Sequence, residues 1–373
     1  MSLIVLTNIP TPYRTAFFDA VAAEAAKLGR GFHVLYCATS EPGRHWPYEP
    51  AAMRHPHTVL AGWHPRLAGT SAHVNLGVLA ALRDLRPTTL LVAGAWNTPT
   101  MLMAAWSDVP CRRIFWSEGH ADAVLHPDGL VAWARRRAYR SYDGFAVPNG
   151  RSAAWARSQA GEAKPIVDLP NAIDTAFYRP ATPEQKTAVR RQLGLPASGR
   201  VLVQVGALTA RKGPWPLAQA FLGLPSEVRG DATLALVGTG PLEADLQKLA
   251  EGSAGALRLF GQRDPAGVRE ILHAADAFVL NTFLDPNPLS PIEAGACGLP
   301  LVLSARAGNV TELIGESGLG IAIPDPADPA EALRRVLAWS TSDLATLGRR
   351  ARAGTESAFS VDIVAARLVS RLS

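Results

Sequence analysis

Short apolar runs rich in Val, Ile and Leu alternate along the chain with longer segments rich in Ala, Leu and Arg. The short runs have the length and composition of buried strands, and the longer segments have those of helices. This alternation predicts parallel sheets that are covered by helices on both faces. The strand candidates are LIVLTN, FHVLYCA, TTLLVAG, RRIFWSE and GFAVPN, followed by RVLVQVGA, TLALVGTG, LRLFG, AFVLNT and LPLVLSA. Because this alternation of strand and helix candidates begins again in the second half, we predict an α/β protein with two Rossmann-like domains.

The join between these domains is expected near LPNAIDTAFYRP, where prolines and polar residues interrupt the pattern. A length of 373 residues also exceeds what one ordinary core holds. We therefore predict an N-terminal domain over 1–170, a C-terminal domain over 171–355 and a closing amphipathic helix within 356–373. The closing helix is expected to cross back onto the N-terminal domain. The two domains are expected to face each other across a cleft that holds the ligand.

Composition indicates a folded protein of a reducing compartment. Hydrophobic residues make up 48% of the chain and charged residues 18%, which is typical of globular proteins rather than disordered ones. The three cysteines, Cys37, Cys111 and Cys297, are far apart and lack metal-ligand spacing. No apolar run reaches the roughly 18 to 20 residues that a membrane span needs, and MSLIVLTNIP lacks the basic start of a signal peptide. We predict a cytoplasmic location.

The stretch FLDPNPLSPIEAGACGLPLV places two carboxylates, Asp285 and Glu293, on either side of three prolines and a serine. Ser290, the proline after it and Glu293 have the spacing of an N-cap, a first-turn proline and a capping-box glutamate. The N–H groups of Leu289 and Ser290 at such a helix start can equally bind an anion. Helix capping and phosphate binding therefore both remain open, although capping alone does not require Asp285.

Adjacent cations, Arg211 and Lys212, follow the strand candidate RVLVQVGA. Arginine binds phosphate as a two-pronged donor and lysine binds it as a mobile charge. The acids of the later loop can accept hydrogen bonds from the vicinal hydroxyls of a sugar. A site with cations for a diphosphate and acids for sugar hydroxyls suits a nucleotide-sugar.

These motifs resemble those of the retaining glycosyltransferases of family 4, the group 1 glycosyltransferases, which have the GT-B fold. The two acids eight positions apart and the AGACGLP that follows resemble the signature of that family. Further resemblance lies in LPNAIDTAFYRP, VGALTARKG, VGTGPLEADL, AADAFVLNT and AGNVTELI. The resemblance covers essentially the whole second half, and the first half matches more loosely through NIPTPYRTAFF. It implies hexose transfer with retention from a nucleotide-sugar to a glycan, lipid-linked or small-molecule acceptor, as in polysaccharide biosynthesis.

The resemblance also implies roles for individual residues. Glu293 would bind the ribose of the donor, Asp285 would face the donor sugar, and Arg211 with Lys212 would hold the diphosphate. The residues expected to act in catalysis are His120, Asp285, Arg211 and Lys212. The residues expected to bind the donor are Glu293, Leu289, Ser290, Gly206 and Glu118. No metal or cofactor is expected, and a UDP- or GDP-sugar would be the substrate.

Four positions depart from the pattern of the family. Asp285 is one methylene shorter than the usual Glu, and Pro288 removes an N–H from a position that is often Gly. Ala207 stands where an Arg is common, and IPTPYR replaces a Gly-Gly loop. The departures leave the donor base, the donor sugar and the acceptor open.

In the first half of the chain, the segment IFWSEGHAD is predicted to contribute residues to the site. His120 stands where relatives commonly place a histidine near the donor sugar, and Glu118 competes for the same role. A histidine after a strand also serves as a loop or capping residue. Tyr13 and Arg14 begin the first helix and could contact the acceptor, although helix initiation explains them nearly as well.

The net charge of +5 is concentrated in the first half of the chain. Residues 1–170 hold 17 Lys or Arg against 12 Asp or Glu, whereas 171–373 hold 20 against 20. The run AWARRRAYRSY places Arg135, Arg136, Arg137 and Arg140 on one predicted helix. This helix is either an ordinary solvated face or a peripheral contact with an anionic membrane at its inner face. No motif supports binding of nucleic acid.

Two other functions remain possible for a chain with these motifs. Non-hydrolysing sugar-nucleotide epimerases share the fold, but the Asn-Ala-Ile-Asp linker and the acid-containing Ala-Cys-Gly motif favour transfer. A non-catalytic nucleotide-sugar-binding subunit would fit the changes at Asp285 and Ala207.

Overall fold

The computed structural model describes residues 2–42, 48–67, 70–315 and 320–372. The chain divides into two compact units, Met1–Ile173 with Ser360–Ser373 and Asp174–Phe359. The first division falls inside LPNAIDTAFYRP, three residues beyond the predicted boundary. Each unit is an α/β unit built around a parallel sheet, which is the predicted fold class.

The first unit is built on a sheet of seven parallel strands. Its strands are β1 (Ser2–Thr7), β2 (Gly31–Tyr36), β3 (His57–Val59), β6 (Thr89–Ala93), β7 (Arg112–Trp116), β8 (Gly144–Val147) and β9 (Ile166–Asp168), with β4 (Arg66–Leu67) and β5 (Thr70–Ser71) forming a separate hairpin. The order across the sheet is β3-β2-β1-β6-β7-β8-β9. The helices are α1 (Pro12–Lys27), α2 (Val78–Leu85), α3 (Pro99–Ala105), α4 (Gly129–Arg140) and α5 (Gly150–Ala160). The strand order reverses at β1, which pairs with β2 on one side and β6 on the other.

Both faces of this sheet are buried, as the near-continuous apolar runs predict. Successive residues of β1 alternate between the faces, so Leu3 and Val5 join one core cluster and Ile4 and Leu6 join the other. Helix α1 covers the first face with side chains that include Phe17. The covered faces leave the loops at the carboxyl ends of the strands to form a site.

The second unit repeats the plan with six parallel strands. They are β10 (Val201–Val205), β11 (Thr233–Val237), β12 (Leu257–Leu259), β13 (Ala277–Leu280), β14 (Leu301–Ser304) and β15 (Gly320–Ile323), in the order β12-β11-β10-β13-β14-β15. The helices are α6 (Pro183–Gln192), α7 (Pro214–Leu222), α8 (Ser226–Arg229), α9 (Glu243–Glu251), α10 (Pro265–Ala274), α11 (Ser290–Ala296), α12 (Val310–Ile314), α13 (Ala330–Leu337) and α14 (Thr341–Phe359). The strand order reverses between β10 and β13.

The closing helix α15 (Val361–Leu372) belongs to the first unit. It packs on α1 through buried apolar residues that include Val364 and Leu368. The Leu372 carbonyl accepts a hydrogen bond from Thr89 Oγ1 at 2.8 Å, and Arg367 Nη1 donates to Asp168 Oδ2 at 2.5 Å. Helix α14 runs on to Phe359, so the closing segment begins four residues later than the predicted 356.

All ten strands predicted from the sequence are present. The pattern missed β3, β9 and β15, which lie at sheet edges, and the hairpin formed by β4 and β5. These strands have two to four residues, too few for a periodic signal to stand out.

Candidate functional site

The loops after β10 and β13 leave the sheet of the second unit where its strand order reverses. Ligands of open α/β sheets bind at such a point, beyond the carboxyl ends of the strands. These two loops and the start of α11 carry the predicted donor-side residues Gly206, Arg211, Lys212, Asp285, Leu289, Ser290 and Glu293. The two first-half candidates, Glu118 and His120, follow β7 in the first unit.

Lys212 and Asp285 form an ion pair, with Lys212 Nζ donating to Asp285 Oδ2. Their side chains are only 14% and 11% exposed. The Lys212 carbonyl accepts a hydrogen bond from Gln204 Nε2 at 3.2 Å, which anchors the turn to β10. A Cβ added to Gly206 would lie 3.9 Å from the Lys212 stem, so Gly206 lies against the lysine. The cation and the carboxylate are therefore direct neighbours.

Arg211 lies beside this pair and connects the two loops. Its Nη1 donates to the Leu284 carbonyl at 2.5 Å. Its own carbonyl accepts from Thr282 Oγ1 at 3.0 Å and from the Phe283 N–H at 2.9 Å. In this structure Arg211 supports the loop that carries Asp285, and its contact with a diphosphate stays a prediction.

The segment between β14 and α12 holds the other side of the Asp285 loop. The Gly308 N–H donates to the Asp285 carbonyl at 2.7 Å, and Asn309 Nδ2 donates to the Pro288 carbonyl at 2.9 Å. A Cβ added to Gly308 would lie 1.7 Å from the Pro286 carbonyl oxygen, so only glycine fits this approach. Gly308 and Asn309 were not among the predicted site residues, although they lie in the family motif AGNVTELI.

The capping interpretation of Ser290 and Glu293 is wrong. Leu289 precedes α11, and no side chain caps the helix. Ser290 Oγ instead donates to the Val205 carbonyl at 3.0 Å, which ties the helix to the end of β10. The Glu293 carboxylate accepts a hydrogen bond from the Tyr178 hydroxyl at 2.9 Å. Both side chains bind groups outside the helix and are unavailable as caps.

Glu293 has an unusual environment for a carboxylate. Burial raises its pKa to about 7, and the hydrogen bond from Tyr178 opposes that rise. Tyr178 is itself buried, and its carbonyl accepts from Arg352 Nη1 at 2.6 Å. The same nitrogen donates to the Ala296 carbonyl at 2.6 Å, so Arg352 couples Tyr178 to the end of α11. Tyr178 and Arg352 position Glu293. Tyr178 lies in the motif LPNAIDTAFYRP but was given no role in the site, and Arg352 lies in none of the motifs.

In the first unit, His120 acts as the cap of the short turn Ala121–Ala123. Its Nδ1 accepts from the Asp122 N–H at 3.2 Å. Burial lowers the pKa of His120, which favours the neutral ring. Its Nε2 is buried without a hydrogen-bond partner among the described residues. Thus His120 has the capping role and still keeps one nitrogen for a ligand.

One of the four arginines of helix α4 does not lie at the surface as predicted. Arg135 is 5% exposed, and its Nε donates to Gln159 Oε1 at 3.0 Å. Its guanidinium carbon lies 5.1 Å from the centre of the Trp155 ring. Arg135 therefore faces α5, and the prediction of four surface arginines is wrong for this residue. Arg136, Arg137 and Arg140 line an open cavity with Trp106 and Trp133.

The described residues offer neither a metal cluster nor a membrane-spanning helix. Among the described residues, no group of three or more His, Cys, Asp or Glu side chains is placed to hold a metal ion. Across the same residues, no helix combines the length and the apolar character needed to cross a bilayer. Transfer without a metal stays a prediction.

Comparison with solved structures defines the class of fold. The Anabaena protein Alr3699/HepE, solved in complex with UDP, aligns with 100% of this chain and 99% of its own at a TM-score of 0.76 and 18% identity. Sucrose-phosphate synthase from Thermosynechococcus elongatus aligns with 99% and 98% at a TM-score of 0.73 and 18% identity. The two parallel α/β units have the GT-B fold.

Comparison of sequences then shows which family the second half resembles. Residues 185–355 match the model of the glycosyl transferases group 1. A GDP-mannose-dependent monoacylated alpha-(1-6)-phosphatidylinositol monomannoside mannosyltransferase from Corynebacterium glutamicum is 29% identical over 225 residues, 58% of each chain. The chain spans about half the length of the first curated relatives it matches. Over residues 185–355 the chain is similar to the group 1 glycosyltransferases, and the resemblance predicted from the second half is confirmed.

Proposed function

We propose that this chain is a retaining glycosyltransferase that moves a hexose from a UDP- or GDP-sugar to a glycan, lipid-linked or small-molecule acceptor. The observation that carries the proposal is the largely buried ion pair between Lys212 and Asp285 at the carboxyl edge of the second sheet, with Glu293 on helix α11, which follows the same loop. A cation and an acid at a topological switch point, with a second acid on the next helix, fit a diphosphate flanked by two sugar rings. The names of the relatives support the class of reaction.

The proposed roles follow from the chemistry of the side chains. Lys212 and Arg211 bind the diphosphate, and Asp285, released from its ion pair with Lys212, accepts hydrogen bonds from the donor sugar. Glu293 accepts hydrogen bonds from the ribose. The N–H groups of Leu289 and Ser290 add donors at the start of α11, and Gly206 leaves room beside Lys212. His120 is proposed to act in catalysis, and Glu118 is proposed to bind the donor.

In the proposed reaction, the bond between the anomeric carbon and the β-phosphate breaks while the acceptor oxygen bonds to the same carbon. The departing phosphate takes the proton of the acceptor hydroxyl on the same face, so the anomeric configuration is retained. Positive charge develops on the sugar and negative charge on the phosphate. Preorganised donors at the departing phosphate are the largest stabilising contribution, roughly 3 to 4 kcal/mol for each donor.

A donor panel tests this function against its alternatives. Purified protein is given UDP- and GDP-hexoses with neutral sugars, polyols and lipid-linked sugars, and the products are identified by mass spectrometry and NMR. We expect a glycoside of retained configuration and release of the nucleoside diphosphate. Interconversion of the donor without acceptor would indicate an epimerase. Donor binding without turnover across the panel would indicate a binding subunit.

The raised pKa of Glu293 predicts pH-dependent donor binding. The ionised carboxylate accepts ribose protons better than the neutral acid. Because the pKa is about 7 in the free protein, each pH unit below 7 should weaken binding by up to roughly tenfold. Calorimetric titration with UDP-glucose and GDP-mannose from pH 5.5 to 8.5 measures this change. These donors are suitable because their diphosphates carry no proton that titrates in this range.

The control is Glu293→Gln, which keeps the shape of the side chain and removes its titration. Its affinity should be lower than that of the wild type at pH 8 and nearly independent of pH. The raised pKa of Glu293 affects the stability of the folded wild-type protein with the opposite dependence on pH. Because the pKa in the folded state lies above that in the unfolded state, Glu293 contributes stability below about pH 4.5. That contribution is lost as the pH rises to about 7. Equal slopes of affinity against pH for both proteins would exclude Glu293 from the ribose site.

We propose further that the cavity lined by Trp106, Trp133, Arg136, Arg137 and Arg140 contacts an anionic membrane surface. The two tryptophans are 55% and 60% exposed, and the neighbouring Leu130 is 85% exposed. Tryptophan and arginine together are typical of surfaces that lie at the lipid headgroups. The arrangement supports a peripheral location on the cytoplasmic side.

Neutralising this surface should release the protein from anionic vesicles. Three arginines contribute about 3 kcal/mol at low salt, so Arg136→Gln, Arg137→Gln and Arg140→Gln together should weaken binding by roughly 100-fold. Co-sedimentation with vesicles of phosphatidylserine and phosphatidylcholine measures the change. A matched triple variant at Arg334, Arg335 and Arg349, exposed arginines of the second unit, should bind as the wild type does. Equal loss in both triple variants would indicate a general charge effect.

A further inference from the structure

Two buried amide side chains lie at the switch point of the second sheet. Gln204 is on β10 and is 2% exposed, and Asn281 directly follows β13 and is fully buried. The residues of β13 and the first three residues of β10 are apolar and buried. An amide in such surroundings is unfavourable unless it is hydrogen-bonded. The two amides therefore need hydrogen-bond partners beyond the strands themselves.

The partners of both amides are in the turn that carries Lys212. Gln204 Nε2 donates to the Lys212 carbonyl at 3.2 Å, and Asn281 Nδ2 donates to the Gly213 carbonyl at 3.1 Å. Strands β10 and β13 are neighbours in the sheet. Two consecutive carbonyls of the turn are thus held by side chains from the ends of two adjacent strands.

The two amides are also joined to each other and to a third segment. The backbone N–H of Asn281 donates to Gln204 Oε1 at 3.1 Å, which fixes the orientation of the Gln204 amide. Asn281 Nδ2 also donates to the Pro326 carbonyl at 2.8 Å, in the loop that follows β15. Asn281 Oδ1 is buried without a hydrogen-bond partner among the described residues. An unpaired buried acceptor is costly, so the chain keeps Asn281 for the two bonds that it donates.

This arrangement connects the two partners of the ion pair. Asp285 follows Asn281 in the same loop, and Lys212 lies in the turn that the amides hold. The side chains of Lys212 and Asp285 are largely buried, so their contact depends on the distance between the two segments. A misplacement of about 1 Å in a reacting or binding group can cost on the order of 100-fold in rate. Supporting hydrogen bonds that prevent such a displacement therefore affect function.

We propose that Gln204 and Asn281 are positioning residues that hold Lys212 where it binds the diphosphate of the donor. The inference rests on the proposed function, because it takes Lys212 as a ligand of the diphosphate. Both amides act through the backbone of the turn, since their hydrogen bonds reach carbonyl groups. Their removal should therefore affect the diphosphate and leave recognition of the nucleoside intact.

Two variants of similar side-chain volume remove the amide donors. Gln204→Met and Asn281→Leu leave the turn carbonyls without these partners and do not open a large cavity. We expect each variant to bind the nucleoside diphosphate about tenfold more weakly than the wild type does. Affinity for the nucleoside alone should change by less than about twofold. Calorimetry of the full chain with UDP and GDP, and NMR titration with uridine and guanosine, measure the two affinities.

A double-mutant cycle with Lys212→Ala separates positioning from a general loss of structure. In the Lys212→Ala background, Gln204→Met or Asn281→Leu should weaken binding of the diphosphate by less than about twofold further, because the side chain that they position is absent. Independent effects would multiply instead, so the loss of about tenfold would appear in both backgrounds.

Asn75→Leu is the matched control. Asn75 is also fully buried, and its Nδ2 donates to the Cys37 carbonyl at 2.8 Å in the first unit. We expect this variant to lower the melting temperature and to leave the affinity for UDP and GDP unchanged. A loss of affinity that follows from lower stability alone would appear in this control as well.

Three results would overturn the inference. They are equal losses of affinity for the nucleoside and its diphosphate, losses that multiply with that of Lys212→Ala, and failure of both amide variants to fold, which would show that the amides only maintain the fold. Each variant tests the inference by itself if the other does not fold. A wild-type protein that binds neither UDP nor GDP would count against the proposed function, whereas normal binding in both amide variants would count against the positioning role alone.

Discussion

Lys212→Ala is expected to lower kcat/KM for the nucleotide-sugar donor by about 10²- to 10³-fold, as removal of one preorganised donor to a developing anion does elsewhere. Lys212 has the charge and the position for that role, since it lies at the switch point and pairs with Asp285. Its loss also leaves the Asp285 carboxylate without its cation. Initial rates with the donor identified in the panel measure the effect.

Two controls separate this effect from a general loss of positive charge. Lys248→Ala removes a lysine of α9 whose side chain is 78% exposed, and its rates should match those of the wild type. Arg211→Ala should cost less than Lys212→Ala, because Arg211 is exposed and already donates to the Leu284 carbonyl. If Lys212→Ala keeps rates within twofold of the wild type while its melting temperature is normal, the diphosphate is bound elsewhere.

Gly213→Ala is expected to destabilise the second unit by about 2 to 5 kcal/mol, through strain and a clash together. Gly213 has φ of +59°, a conformation that costs an L-residue energy. A Cβ at this position would also lie 2.0 Å from the Asn281 carbonyl oxygen, a backbone atom that cannot simply rotate away. Urea unfolding followed by circular dichroism measures the loss.

Gly261→Ala is the matched control for this substitution. Gly261 has φ of +62° in the same unit, and a Cβ there would have nothing within 4 Å. It carries the backbone cost without the clash, so we expect a loss of only about 1 to 2 kcal/mol. Equal losses for both variants would show that the loop after β13 moves aside. Gly213→Ala should in addition weaken donor binding, because Gly213 directly follows Lys212.

The regular elements followed from local patterns in the chain. Buried strands such as β10 and β13 are short apolar runs, and burial on both faces requires only that composition. The candidate donor residues were also recognisable, because Arg211, Lys212, Asp285 and Glu293 stand in contiguous motifs at strand ends. Short edge strands such as β15 carried too little periodicity to be predicted.

The partners of these residues depended on distant parts of the chain. Glu293 binds Tyr178, 115 positions away, and Lys212 binds Asp285, 73 positions away. Local spacing suggested a capping box for Glu293, but the hydroxyl of a distant tyrosine binds the carboxylate instead. A competition between a local cap and a tertiary hydrogen bond is decided by packing, which a sequence pattern does not contain.

The sequence by itself determined the two α/β units, the order of their strands along the chain and the loops that carry the candidate site. Only the tertiary structure decided which side chains in those loops are charged neighbours, which are buried and which keep unpaired atoms. Arg135 illustrates the difference, since it belongs to the same basic run as Arg136 yet is buried against α5. The physical reason is that backbone conformation responds to neighbouring residues, whereas desolvation and ion pairing depend on every element that packs against a residue.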